Sequence, residues 1–231
     1  YLLSGGECMA IHWEPVGDGR VLAVSDDHRF GTDAVILSYF AAPQKAEETV
    51  CDLGTGCGCI PFLLLNQAAV PRYILGVDKQ PDAIMLCRLS ADKNKLHGTL
   101  QFTEADWCFP KTIAAAGSFD RVVCNPPYFF GGTKSPNQSR ATSAFDDTLN
   151  IYEAAQCAKR VVKQGGRFFV CYPAKYIQQL CTAMQQADFA IKRLCLVQSR
   201  ADKAPYLALA EGRKGGGAGT ELSRIILEEQ Q

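Results

Sequence analysis

Val50-Cys51-Asp52-Leu53-Gly54-Thr55-Gly56-Cys57-Gly58-Cys59 decides the fold. An apolar β-prone run, Thr49–Leu53, enters a bend of three glycines, and a helical stretch, Cys59–Gln67, leaves it. Such a strand–turn–helix corner is where open α/β sheets bind ligands, outside the carboxyl ends of their strands. Glycines at the corner allow positive φ and close approach of the backbone to a ligand.

Outward from this corner, strands and helices alternate. Further strands are predicted at Tyr73–Val77, Leu100–Glu104, Arg121–Cys124 and Arg167–Tyr172, and helices at Pro81–Leu96, Leu149–Val162 and Ala174–Ala187. This rhythm indicates a parallel sheet covered on both faces. Two further strand-like runs, Ile191–Val197 and Tyr206–Ala210, are joined by a short polar link and so expected to pair antiparallel. A Gly-rich loop (Gly212 to Gly219) and a last apolar run, Ile225–Leu227, close the pattern. Upstream, Cys8–Trp13 and Arg20–Val24 flank a Pro/Gly/Asp turn and read as a hairpin, and Asp33–Ala42 reads as a buried helix ending before Pro43. The expected organisation is a hairpin appendage over residues 1–30 and one α/β domain over 31–231.

Composition narrows the function. The chain has 231 residues, of which 47% are hydrophobic and 21% charged, as in an ordinary globular protein. Its 24 basic side chains balance 24 acidic ones, which argues against coating nucleic acid by bulk electrostatics. The longest apolar run, Ile60 to Leu65, stops at Asn66, far short of a membrane span, and the first residues do not have the pattern of a signal peptide. Eleven cysteines, an odd number without framework spacing, read as free thiols in a reducing cytoplasm. Cys51, Cys57 and Cys59 lie close together but form no C-x-x-C pair, and His12, His28 and His97 are scattered, so no metal site is expected.

The acids select the ligand. Asp52 stands two residues before the first glycine, inside the expected pocket, where it would oppose a pyrophosphate. It suits instead a ligand with a cationic amino group, and S-adenosylmethionine, with its ammonium and sulfonium, fits. Gly76-Val77-Asp78 sets a second carboxylate at the end of the next strand, able to accept from both ribose hydroxyls. Asp106, after the third strand, is an acceptor for an adenine amino group.

Val123-Cys124-Asn125-Pro126-Pro127-Tyr128 ends the fourth strand. Two prolines stiffen the turn and remove two amide donors, leaving the Asn125 and Pro126 carbonyls as outward acceptors. With the Asn125 side chain and the flat ring of Tyr128, these groups match a planar conjugated NH2. Its nitrogen is a poor nucleophile. Acceptors that draw its hydrogens out of the conjugated plane return lone-pair density to it, and alignment with the sulfonium methyl then permits in-line transfer without a strong base.

With these motifs the chain resembles class I S-adenosylmethionine-dependent methyltransferases of the Asn-Pro-Pro-Tyr group. More narrowly, it resembles the bacterial tRNA1(Val) adenine-37 N6-methyltransferase family. The narrower likeness rests on His28-Arg29-Phe30-Gly31-Thr32-Asp33-Ala34-Val35-Ile36-Leu37, on the spacing of the glycine loop and the Asn-Pro-Pro-Tyr-Phe turn, and on Ala201-Asp202-Lys203. It implies a Rossmann-like, mostly parallel seven-stranded sheet in the order 3-2-1-4-5-7-6, with strand 7 antiparallel. It implies that Asp52, Gly54, Thr55 and Gly56, helped by Thr32, hold the methionine end of the cofactor. It further implies that Asp78 binds ribose, that Asp106 lies by adenine, that Asn125 also borders the cofactor, and that Asn125, Pro126 and Tyr128 grip the target amine.

The amine expected is adenine N6 in structured RNA, tRNA first. Tyr128, Phe129 and Phe130 offer stacking surfaces for a flipped base. Residues 188–214 carry six basic side chains (Lys192, Arg193, Arg200, Lys203, Arg213, Lys214) against three acids, and Lys134 and Arg140 come after the turn. The alternative is a glutamine amide of a protein partner such as a release factor. Enzymes of that kind usually carry a sizeable helical domain first, whereas the roughly 48 residues before the first strand here read as hairpin plus helix.

Overall fold

A computed structural model describes residues 9–127 and 146–227. A hairpin comes first, β1 (His12–Pro15) and β2 (Val21–Val24), paired antiparallel around Gly17, Asp18 and Gly19, all at positive φ. It is fastened to the α/β domain. The Ala23 amide donates to Ser90 Oγ at 2.8 Å, and Leu22 and Val24 are buried in the main core.

The remaining elements are α1 (Thr32–Phe40), β3 (Thr49–Leu53), α2 (Cys59–Leu64), β4 (Tyr73–Asp78), α3 (Pro81–Asn94), β5 (Leu100–Glu104), β6 (Phe119–Cys124), α4 (Asp146–Val161), β7 (Val162–Pro173), α5 (Ile177–Gln186), β8 (Phe189–Gln198), β9 (Leu207–Lys214) and β10 (Glu221–Ile226). β3 is buried along its whole length, with β4 on one side and β6 on the other, both parallel to it. Only a strand covered on both faces can afford the run Thr-Val-Cys-Asp-Leu without polar alternation. Pro81 opens α3 with its φ already helical, and Lys95 closes that helix at φ +57°.

Alternation along the strands builds two cores. Val50, Ile74, Val123, Phe169 and Cys171 face α1, α2 and α3. Cys51, Leu53, Val77, Cys124 and Val170 face α4 and α5. Phe62, Phe168 and Phe169 are fully buried, each contributing roughly 1.5–3 kcal/mol from the area it removes from water. At the amino ends of the central strands, buried Arg121 pairs with Glu48 at 2.6 Å and lies over the Phe169 ring at 5.0 Å.

The sheet corrects one expectation. Among the described residues it has eight strands, not seven, in the order β10-β8-β9-β7-β6-β3-β4-β5. β9 is antiparallel to β8, as the short link between the two runs led one to expect, and to β7, as the resemblance implied, while β10 adds to the outer edge parallel to β8. Its first four residues, Glu221 to Arg224, are exposed, so it carries little apolar signal, and only its end overlaps the apolar run Ile225–Leu227. Charges on such an edge discourage further strand pairing.

Candidate active site

The carboxyl ends of β3, β4, β5 and β6 form one rim, and the loop after β3 is strapped to it. The amides of Gly54 and Thr55 donate to the Val77 carbonyl at 2.8 and 2.9 Å. Gly56 N–H donates to Asp78 Oδ2 at 2.9 Å, the Gln80 amide donates to Asp78 Oδ1 at 3.0 Å, and the Cys87 thiol donates to the Gly56 carbonyl at 3.1 Å. Gly54 and Gly56 sit at φ +73° and +55°, where a side chain would be strained. A Cβ on Gly54 would also stand 2.9 Å from the Trp107 ring.

Beneath this loop lies Asp52, with no exposed surface. Its strand neighbour in register on β4 is Gly76, which brings no side chain. A Cβ there would crowd the Phe102 ring and the Thr55 hydroxyl. Among the described residues neither carboxylate oxygen of Asp52 has a hydrogen-bond partner, nor has Thr55 Oγ1. Burial pushes the Asp52 carboxyl up to about 7; the Thr55 hydroxyl nearby opposes the rise without reaching bonding geometry, and Asp78 adds to it. A buried acid left unpaired under a glycine loop is costly in a protein, and it fits a ligand that brings an ammonium to it.

Asp78 is buried, and each of its oxygens already takes one backbone amide, which leaves lone pairs for further donors. Asp106 is half-buried and accepts the Cys108 amide at 2.9 Å; the Ala105 amide, bonded to the Asp78 carbonyl at 2.9 Å, ties this segment to the end of β4. Asn125 comes directly after β6, whose Cys124 is opposite Leu53 of β3, so the asparagine emerges beside the glycine loop. Its Oδ1 accepts the Cys171 thiol at 2.9 Å; Pro126 is buried and Pro127 exposed. Thr32 stands exposed on the first turn of α1, and its hydroxyl makes no hydrogen bond among the described residues. Tyr128, with Phe129, Phe130, Lys134 and Arg140, lies outside the described residues.

Three residues of this rim carry no motif that sequence reasoning could seize. Trp107 matters because its ring fills the space where a Gly54 side chain would stand, Gly76 owes its meaning to the register with Asp52, and Cys171 is brought to Asn125 by the pairing of β6 with β7. The thiols close to the loop are free and buried, which disfavours the reactive thiolate. Burial raises Cys51, Cys57, Cys59, Cys87 and Cys124, Cys57 to about 11. Among the described residues no cluster of His, Cys, Asp or Glu could hold a metal ion, and no helix is long and apolar enough to cross a membrane.

The basic run over 188–214 does not stay together. Lys192 donates to the carbonyls of Gly217, Ala218 and Gly219, and Lys214 to those of Lys159 and Val162. Arg193 pairs with buried Glu211 and donates to the Phe40 carbonyl at 2.8 Å, and Arg213 donates to the Gly165 carbonyl. Arg200 and Lys203 lie between β8 and β9, at the end of the sheet where β3 and β6 finish.

An unpaired acid under the glycines would repel a pyrophosphate and attract an ammonium, so fold and site together define an S-adenosylmethionine-dependent methyltransferase. A family model described as a methyltransferase domain matches residues 44–225, and the chain belongs to that family. A tRNA1(Val) (adenine(37)-N6)-methyltransferase of Shewanella woodyi is 26% identical over 188 residues, 78% of this chain and 76% of the relative. The protein of the same description from Proteus mirabilis is 28% identical over 178 residues, 77% and 69% of the two chains. Among solved structures, a predicted O-methyltransferase from Agrobacterium tumefaciens superposes with a TM-score of 0.68 at 16% identity, over 84% of this chain and 87% of that one. The T. thermophilus 16S rRNA N2 G1207 methyltransferase gives 0.60 at 17% identity, over 91% of this chain and 46% of its own. These structural likenesses speak for the fold.

Proposed function

We propose that this chain methylates the N6 amine of an adenine in tRNA. The observation that carries the reading is the placement of Asn125, at the end of β6, beside a glycine loop that covers the unpaired carboxylate of Asp52. The names of the related sequences supply the nucleic acid.

S-adenosylmethionine, when bound, supplies an electrophilic methyl group on a cationic sulfur. Asp52, with Gly54, Thr55 and Gly56 above it, neutralises the ammonium end, and Thr32 closes that end from α1. Asp78 accepts from the ribose hydroxyls with the lone pairs its two amide bonds leave over, and Asp106 accepts from the adenine amino group. At the other side of the rim, Asn125 and the Pro126 carbonyl take the two hydrogens of the target amine, while Tyr128 stacks on its ring. Drawn out of conjugation, the nitrogen gains lone-pair density. Once methylated it carries a proton acidic enough to leave to water, so the residues need only position and polarise. Residues 31–231 carry these parts, with the hairpin of 1–30 as an addition to them. The cysteines of the described residues are free thiols, which suits a cytoplasmic protein.

The test is incubation with labelled S-adenosylmethionine and separate pools of tRNA, rRNA, DNA and release factor, with nucleoside and peptide mass analysis of each pool. N6-methyladenosine in the tRNA pool is the expected result. Label confined to a glutamine of the release factor would overturn the nucleic-acid assignment, and label in no pool would overturn the reading altogether.

A further inference from the structure

β6 and β7 run parallel with Cys124 opposite Val170, so one step further along the pair Asn125 meets Cys171. Alternation turns both side chains to the face marked by Val123 and Phe169, the face toward which Asp52 also points from β3. Cys171 has no exposed surface, and its thiol donates to Asn125 Oδ1 at 2.9 Å.

We propose that Cys171 is a positioning residue for methyl transfer, holding the Asn125 carboxamide with its oxygen in the accepting orientation. The inference rests on the proposed role of Asn125 as acceptor for the amine. A carboxamide has two ends of nearly the same shape and opposite function. Turned by half a rotation, Asn125 would present N–H donors to an amine that needs an acceptor. The thiol discriminates between the two states, because it donates to oxygen in one and is only a weak acceptor for the NH2 group in the other. An amide oxygen has two lone pairs, and the thiol needs only one of them. Being neutral and a weak donor, it draws little electron density from that oxygen, whereas an ammonium or guanidinium in its place would compete with the substrate for it.

The experiment compares the parent protein with Cys171→Ala, Cys171→Ser and Asn125→Ala, using in vitro transcribed valine tRNA and labelled S-adenosylmethionine. Loss of one modest hydrogen bond predicts that Cys171→Ala lowers kcat about three- to ten-fold. The KM for tRNA and the cofactor Kd should stay within about two-fold, since neither ligand loses a direct contact. Cys171→Ser restores a donor and should recover most of the turnover. The infrared S–H band lost in Cys171→Ala should lie at a hydrogen-bonded frequency in the parent and shift in Asn125→Ala, a readout that needs no substrate. Parental kcat in Cys171→Ala, a serine variant no faster than the alanine one, or an S–H band that Asn125→Ala leaves in place would each overturn the positioning role. Where the alanine variant does not fold, the serine variant and the band decide. Asn125→Ala distinguishes the two levels. An inactive Asn125→Ala beside an unaffected Cys171→Ala removes only this inference, whereas full turnover in Asn125→Ala removes the acceptor role on which it stands.

Discussion

Asp78 Oδ2 holds the amide of Gly56 at 2.9 Å, so the acid that ends β4 also fixes the bend after β3. A single carboxylate therefore serves two purposes, shaping the glycine loop and offering acceptors at the rim.

Asp78→Ala should weaken binding of S-adenosylmethionine by about ten- to a hundred-fold, the range for losing hydrogen bonds to a charged group. Titration calorimetry checks this. Because the substitution also frees the Gly56 and Gln80 amides, the loop should exchange its amide hydrogens faster even without cofactor. An unchanged Kd would remove Asp78 from the binding site.

With Asp52 as the proposed partner of the ammonium, cofactor binding should depend on pH. Its carboxyl is raised from an ordinary 3.8 to about 7 by burial, reinforced by Asp78 and opposed by Thr55, with the neutral thiols of Cys51, Cys87 and Cys124 around it. In the cofactor-free protein the folded state keeps a proton that the unfolded chain has already lost between pH 4 and 7. Stability from this group is therefore fully present below about 4 and falls as pH rises through about 7. Binding of an ammonium needs the carboxylate, so affinity for S-adenosylmethionine should rise from pH 6 to 7.5, and binding at pH 6 should release a proton. Calorimetry in buffers of different ionisation enthalpy measures that release, and Asp52→Asn should abolish it. A release unaltered in Asp52→Asn would assign the proton to another group.

The legibility of each feature in the sequence depends on how local its signal is. The loop from Asp52 to Gly58 and the turn at Asn125 announce themselves, because positive φ and stiff, donor-free backbone demand particular residues at adjacent positions. The parallel order around β3 is implicit in the alternation of strands and helices. β10 is not, since an exposed edge strand has one polar face and little to bury. The contact of Cys171 with Asn125 spans 46 residues and exists only through strand register, so no local pattern could announce it. The basic run misleads for the same reason. Close together in sequence, its members are sent by the β8–β9 hairpin to opposite ends of the sheet.

Gly54→Ala tests the loop directly. The methyl would be placed at φ +73° and against the Trp107 ring, so stability should fall by about 1–3 kcal/mol in denaturant melts. Adding Trp107→Ala removes the crowding but not the backbone strain, and should recover only part of the loss. Complete recovery would show that Gly54 is required for space alone.

The division of the basic run predicts two different phenotypes. Arg200 and Lys203 stand at the same end of the sheet as Asn125, and among the described residues the Arg200 side chain makes only an exposed pair with Asp202, so both cations are placed to meet phosphates. Arg200→Glu with Lys203→Glu should raise the KM for tRNA and flatten its salt dependence while leaving the melting temperature within a degree or two, as expected of surface substitutions. Lys192 and Arg213 are at the other end, capping carbonyls of 217–219 and of Gly165. Lys192→Glu with Arg213→Glu should lower the melting temperature and leave both the KM and its salt slope unchanged. A reversal of the two phenotypes would place the RNA against the far end of the sheet, away from the glycine loop, and a salt slope insensitive to either pair would point to an acceptor other than RNA.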